Sequence, residues 1–387
     1  MAGYVTYSTS YEPTAMYEQV PIVWDHAKNA TVWDTNGNEY IDFTSGIFVA
    51  NVGHSNVRVM NAIRAQLSKG LVHSYVFPNE SRQRLVKKLC EMTGFEKVFL
   101  LSTGSEAVEA AIRMARHYTG KPQVISWLGC MHGKTLGSQE LMHSRGGHVW
   151  QLGDPVSKLE WGPLTVRSKQ VAAAIVETYH GWGALWYPKQ YIQDLAAWCK
   201  ENGVLLIFDE VQAGFGRTGK LFGYEHYDVI PDMVVCGKAL GNGLPISAVL
   251  GPSKVLDADP SLTSTHSGNP VCCAAALATL EVLEEESLQY AAANMGNIIW
   301  EAIYNLKGHR EGHGAAWALW LDWPDPRKSP QARVAADHIV ELAAECGLLL
   351  LKTGAGTIKI GPPLTIPEKQ LKQGLDILEE CVREVMA

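Results

Sequence analysis

The 387-residue sequence predicts an α/β fold, in which a mostly parallel sheet carries helices on both faces and a smaller unit follows at the C-terminal end. From about Ser55, segments with helical apolar spacing alternate with short apolar runs at 97–101, 123–127, 171–176, 204–208, 233–236 and 248–250. Composition agrees, since 47% hydrophobic and 19% charged residues are ordinary for a globular chain that buries a large core. The helix starting near Pro270 leads into a C-terminal unit over about 289–387 with no flexible linker, which predicts two packed units.

In order along the chain, residues 30–34 and 39–43 alternate apolar and polar side chains around Thr35-Asn36-Gly37-Asn38, a hairpin signal. The run ending at Leu101 is followed by Thr103 and Glu106 at capping-box spacing and by an apolar stripe at Ala107, Ala111, Ile112 and Ala115, so a helix starts here. Its first free amides, at Gly104 and Ser105, form a cup able to hold a phosphate, although such a segment alone is more often a capped helix without a ligand. Gly214 to Gly219 spell GxGxxG, but a dinucleotide fingerprint opens a helix directly after its strand. Here Val211-Gln212-Ala213 intervene and no helical pattern follows, so the glycines read as a loop in a site wall.

A net charge of -7 leaves no basic excess for nucleic acid and points to small-molecule partners. The eight cysteines form no CxxC pair and read as reduced core thiols, with Cys272-Cys273 as small packing residues in a helix. The N-terminus has neither a charged start nor an apolar core, and no run is long enough to span a membrane. A soluble, cytoplasmic protein is expected.

Two runs carry the chemistry. The apolar stretch from Val204 ends in Asp209, and that from Met233 ends near Lys238, which predicts two buried strands presenting an acid and an amine at their carboxyl ends. Pyridoxal 5'-phosphate needs such a pair, a lysine to hold its aldehyde as a Schiff base and an acid to keep its pyridine nitrogen protonated. Burial behind Lys238 would favour the neutral amine that imine formation requires.

The chain resembles the class III, or omega-type, pyridoxal-phosphate aminotransferases. The resemblance rests on Asp34 to Asp42, Ser102 to Glu106, Asp209 to Gly219, Lys238-Ala239-Leu240-Gly241, Thr265 to Pro270 and Pro362-Pro363-Leu364, in order along nearly the whole chain. It implies fold type I, the aspartate-aminotransferase-like fold, with a seven-stranded sheet in a large cofactor-binding domain at 51–288. The small α+β domain would be 289–387, joined by the N-terminal segment 1–50. It also implies roles. Asp209 would bond the pyridinium N–H, Gln212 the phenolic oxygen, and Lys238 would hold the cofactor and shuttle the proton. Gly104 and Ser105 would take the phosphate, with Thr265 reaching across from the other subunit of a homodimer. Met131 and His132 would lie against the cofactor, and Glu177 near the substrate. The reaction would be ping-pong amino transfer between a small-molecule amine and a keto acceptor.

Two positions depart from the family pattern. Met131 stands where an aromatic residue usually precedes His-Gly; its thioether can still cover a ring, with less rigid geometry. Lys359 stands where an arginine commonly grips a carboxylate, and an ammonium gives a point charge without the two-pronged fork. Lys359 could bind a carboxylate, meet a phosphate or face solvent. The expected donor is therefore a specialised amine, reacting at a terminal or side-chain nitrogen and possibly sugar-like. Trp182 and Trp186 could line a pocket for it, whereas Trp317, Trp320 and Trp323 read as core. A lyase, epimerase or decarboxylase of the same family, or a catalytically idle scaffold subunit, are the alternatives.

Overall fold

The computed structural model describes residues 13, 20, 22–127, 130–142, 156–159, 166, 169–181, 185–321 and 329–387. Its strands are β1 (Trp24–Lys28), β2 (Thr31–Asp34), β3 (Glu39–Asp42), β4 (Lys97–Leu101), β5 (Gln123–Trp127), β6 (Val156–Leu159), β7 (Val171–Glu177) and β8 (Leu205–Asp209). They continue with β9 (Met233–Cys236), β10 (Ser247–Gly251), β11 (His309–His313), β12 (Ala316–Trp320), β13 (Leu348–Leu349), β14 (Leu351–Lys352) and β15 (Thr357–Ile360). Seven of these form the central sheet in the order β4-β10-β9-β8-β7-β5-β6. A strand covered on both faces needs apolar residues at successive positions, and β7, β8 and β9 are buried along their whole length.

The six predicted runs all become strands of this sheet, with ends shifted by a residue at most. β6 is an addition, and β10 runs antiparallel to both β9 and β4. The reversal follows from the link at 237–246, a tight turn too short for the crossover that a parallel neighbour requires. The helix Gly104–Thr119 lies on one face against β7, β9 and β10, burying Ala107, Ala111, Ile112 and Ala115 as the stripe predicts. Helix Lys189–Asn202 packs against β8.

Two smaller sheets complete the molecule, β1-β2-β3-β13 and β11-β12-β15-β14. The hairpin forms as read, β2 against β3, with Gly37 at φ +83°, a left-handed position that its lack of a Cβ permits. β3 pairs in parallel with β13, Ile41 opposite Leu348, so the first strands join the C-terminal part of the chain. Helix Pro270–Glu285 begins with Asn269 capping the amides of Val271 and Cys272 and with Pro270 at its first position. It buries Cys272 and Cys273. Trp317 and Trp320 lie in the core on β12, and Trp186 is also buried, edge-on against the His313 ring. Trp182 and Trp323 fall outside the described residues. All eight cysteines are free thiols. Among the described residues, no helix is long and apolar enough to cross a membrane.

Candidate active site

Parallel strands deliver side chains to one rim of the sheet, and at the carboxyl ends of β7 and β8 the register sets Glu177 beside Asp209. Just past β9, Lys238 opens the short turn Lys238–Leu240 with φ +42°. A left-handed side-chain-bearing residue costs about 1–2 kcal/mol, strain that the surrounding turn must hold. Asp209 accepts from its own loop through Val211 N at 3.0 Å and from His132 Nδ1 at 2.9 Å. Because an ionised carboxylate only accepts, Nδ1 carries the proton. His132 Nε2 is buried and has no hydrogen-bond partner among the described residues.

The helix at Gly104 begins with the reciprocal box that its sequence predicts. Thr103 Oγ1 accepts from Glu106 N at 3.2 Å, while Glu106 Oε2 accepts from Ser102 N at 2.9 Å and Thr103 N at 3.0 Å. The amides of Gly104 and Ser105 remain the open donors of the first turn. Gly133 crosses this end at φ +136°. A Cβ there would stand 2.4 Å from Ser105 Oγ and 2.5 Å from Ser138 Oγ. Lys134 N donates to Ser105 Oγ at 3.1 Å. Thr265 is exposed on the surface of the single chain, and the Met131 side chain is half-buried.

Charges in this cleft act on one another at close range. Burial pushes the Lys238 ammonium below its usual range, with Asp209 and Glu177 opposing the shift. Burial disfavours a charged His132, yet its hydrogen bond to Asp209 and its contact with Cys130 raise it to about 10, so Asp209 is paired with an imidazolium. Glu177 is pushed up to about 7 by burial, eased by His132 and worsened by Asp209. Its two oxygens accept from Met131 N at 2.5 Å and Gly181 N at 2.9 Å, which ties the segment carrying Met131 and His132 to the end of β7.

Lys359, on β15, does not face solvent. It is 3% exposed, and its Nζ donates to Gln212 Oε1 at 2.5 Å and to the Gly181 carbonyl at 2.9 Å. The rings of Phe48 and Tyr179 lie 4.9 and 5.0 Å from it. Burial and the nearby Lys238 lower its pKa to about 7.

Sequence reading missed this lining. Phe48 sits in a turn where Ser45, Gly46, Ile47 and Phe48 all have positive φ. The turn is held by Ser45 Oγ donating to Gly361 O at 2.7 Å and by the buried Arg217. The Arg217 guanidinium donates to Asn51 Oδ1 and the Pro362 carbonyl at 2.5 Å each, and to Ser45 Oγ and the Ala315 carbonyl at 3.2 Å each. Only the fixed place of an arginine inside the glycine-rich loop hinted at this role.

The donor set fits pyridoxal 5'-phosphate. It combines open amides at a helix start, a lysine whose ammonium is destabilised, a carboxylate hydrogen-bonded to a buried imidazole, and a side-chain amide, all on one rim. The crossing at Gly133, which has no room for a Cβ, keeps the helix start closely covered.

Comparison with known proteins agrees with this geometry. The family described as aminotransferase class-III matches residues 14–150 and 152–382. The 5-aminovalerate aminotransferase of Pseudomonas aeruginosa is 35% identical over 403 residues, covering 94% of each chain. The 4-aminobutyrate aminotransferase of Escherichia coli is 34% identical over 409 residues, again covering 94% of each. Among solved structures, an S-selective transaminase from Arthrobacter superposes with a TM-score of 0.84 at 27% identity, over 95% of this chain and 94% of that one. The chain therefore belongs to the class III aminotransferase family, with the type I fold and pyridoxal phosphate as its cofactor.

Proposed function

We propose that the enzyme takes the amino group from the end of a primary amine and passes it to a 2-oxo acid, with Lys238 as the lysine that carries the cofactor and moves the proton. When bound, pyridoxal phosphate supplies an electron-withdrawing ring that accepts the electron pair left as the substrate C–H bond breaks. Asp209, oriented by its hydrogen bond to His132, holds the proton on the ring nitrogen. Gln212 donates to the phenolic oxygen, Gly104 and Ser105 hold the phosphate, and Met131 covers one face. Glu177 positions Met131 and His132 from behind. Lys238, with its ammonium destabilised, takes a proton at Nζ as a neutral amine and returns it at a neighbouring carbon. The observation carrying this reading is the Asp209–His132 hydrogen bond at the strand ends beside Lys238.

The donor class follows from Lys359 and from the relatives. The amines named for the two relatives bear nitrogen at a chain end. In this chain Lys359 is already engaged with Gln212 and the Gly181 carbonyl, so at most one of its three N–H donors is left for an α-carboxylate. Terminal amines such as 5-aminovalerate, tested against a panel of 2-oxo acids, should turn over faster than α-amino acids. A preference for α-amino acids, or turnover without any oxo acid, would sink this assignment.

The working form would be a homodimer. Leu67, Leu71, Val72, Tyr75, Val76 and Phe77 are exposed apolar residues close together in sequence, and Phe77 is 73% exposed. Arg82 fixes this stretch by donating to the carbonyls of Tyr75 and Phe77, and Asn269 donates to that of Val72. A second copy seated here would cover the patch beside Thr265 and bring its own Thr265 to the phosphate. Residues 1–50 and 289–387 would then act as one small domain against 51–288. The free thiols suit a reducing compartment, the cytoplasm.

A further inference from the structure

Gln212 can serve the cofactor only if its amide faces the right way. A glutamine amide has an accepting oxygen and a donating nitrogen at nearly interchangeable positions, so the partner on one side decides which end is offered on the other. Here that partner is Lys359, which only donates while it is an ammonium, below its lowered pKa of about 7. It meets Gln212 Oε1 at 2.5 Å and directs its other hydrogen bond to the Gly181 carbonyl at 2.9 Å. The rings of Phe48 and Tyr179 flank Nζ, and the side chain is 3% exposed, so little freedom remains to leave this pose.

Gly181 joins the arrangement from the far side. Its carbonyl accepts from Lys359 while its N–H donates to Glu177 Oε1 at 2.9 Å. A Cβ at this position would lie 2.9 Å from Glu177 Oε1, 3.1 Å from Met131 Cβ and 3.4 Å from Gln212 Nε2. The glycine thus permits Gln212, Glu177 and Lys359 to close around one residue.

We propose that Lys359 is a positioning residue, which by donating to Gln212 Oε1 locks the amide with its Nε2 hydrogens turned away and available to the cofactor's phenolic oxygen, instead of gripping a substrate carboxylate. The inference rests on Gln212 meeting that oxygen, as proposed above. A hydrogen bond donated to the phenolic oxygen stabilises its anionic form and so favours release of the proton shared with the cofactor–lysine linkage. Loss of the donor therefore raises the pH midpoint of the bound cofactor's visible absorbance change.

Removing a positive charge would raise that midpoint as well, because Glu177, Asp209, His132 and Lys238 face the same cleft. A double-mutant cycle separates the causes. In the full-length holoenzyme, Lys359→Met should raise the midpoint by about one pH unit and weaken pyridoxal phosphate binding by about tenfold. Lys359→Arg, which keeps a donor-only cation, should stay near the native values. In a Gln212→Ala background, Lys359→Met should cause no further shift. An equal shift in both backgrounds would reduce Lys359 to a through-space charge and overturn the positioning role. If Gln212→Ala alone leaves midpoint and affinity unchanged, the underlying contact fails and the inference fails with it.

Discussion

In the proposed chemistry Lys238, Asp209 and His132 divide the work of the cleft. Substituting Lys238 with alanine should cut turnover by at least about a thousandfold, because in the proposed chemistry one side chain supplies both the cofactor attachment and the proton carrier. Borohydride treatment followed by peptide mass analysis should trap the cofactor at Lys238 in the native enzyme, and no label should appear at that peptide in the variant. His132 gives a pH prediction. Its folded-state pKa of about 10 lies above the ordinary 6.5, so its stabilisation is complete below about 6.5 and disappears as pH rises through 10. Thermal melts of the cofactor-free protein should therefore show the gap between native and His132→Gln narrowing from pH 7 to pH 10; a constant gap would contradict the imidazolium. Asp209 and Lys238 could be singled out in the sequence because each follows an apolar run whose strand end fixes its place, whereas Gln212 came from the family resemblance alone. Phe48, Tyr179 and Arg217 could not, because Phe48 and Tyr179 reach Lys359, and Arg217 reaches Phe48, through long-range folding and a left-handed turn that no local spacing announces.

The helix start and the strand-end loops decide whether those residues meet a ligand. Gly133→Ala would drive a methyl group into Ser105 Oγ and Ser138 Oγ at a left-handed φ. It should weaken cofactor binding by more than about tenfold while the protein still folds, measured by fluorescence titration with pyridoxal phosphate. Glu210, next to Asp209, has a different task. Its buried carboxylate accepts from Gly223 N at 2.9 Å, Tyr224 N at 2.8 Å and the Thr178 hydroxyl, binding the end of β7 to the loop beyond the glycine-rich segment. Glu210→Ala leaves buried donors without partners and should cost about 3 kcal/mol, read as a lower denaturation midpoint with urea. The capping box at Thr103 and the hairpin at Gly37 could be read directly, because each depends on residues a few positions apart. The reversed direction of β10 could have been argued from its short connection, but apolar runs alone carry no direction.

The whole molecule explains why so much of the chain must be present for one site. Lys359 comes from β15 of a C-terminal sheet, Phe48 from the segment after the N-terminal hairpin, and Asp209 from the centre of the large sheet. Arg217 fastens the loop after β8 to Asn51 in the segment after the N-terminal hairpin and to Ala315 and Pro362 beside the C-terminal sheet, joining all three regions. At this scale the exposed run at 67–77 predicts association. Phe77→Asp should shift sedimentation toward the single chain and lower cofactor affinity, because the proposed dimer would then lose Thr265 of the second copy; an unchanged dimer would place the contact elsewhere. The most direct measurement of the proposed chemistry follows the nitrogen itself. Purified enzyme given a terminal amine labelled with heavy nitrogen, together with an unlabelled 2-oxo acid, should move the label into the amino acid formed from that acid, and Lys238→Ala should move none. Label released as ammonia, or donor consumed with the oxo acid absent, would contradict amino transfer.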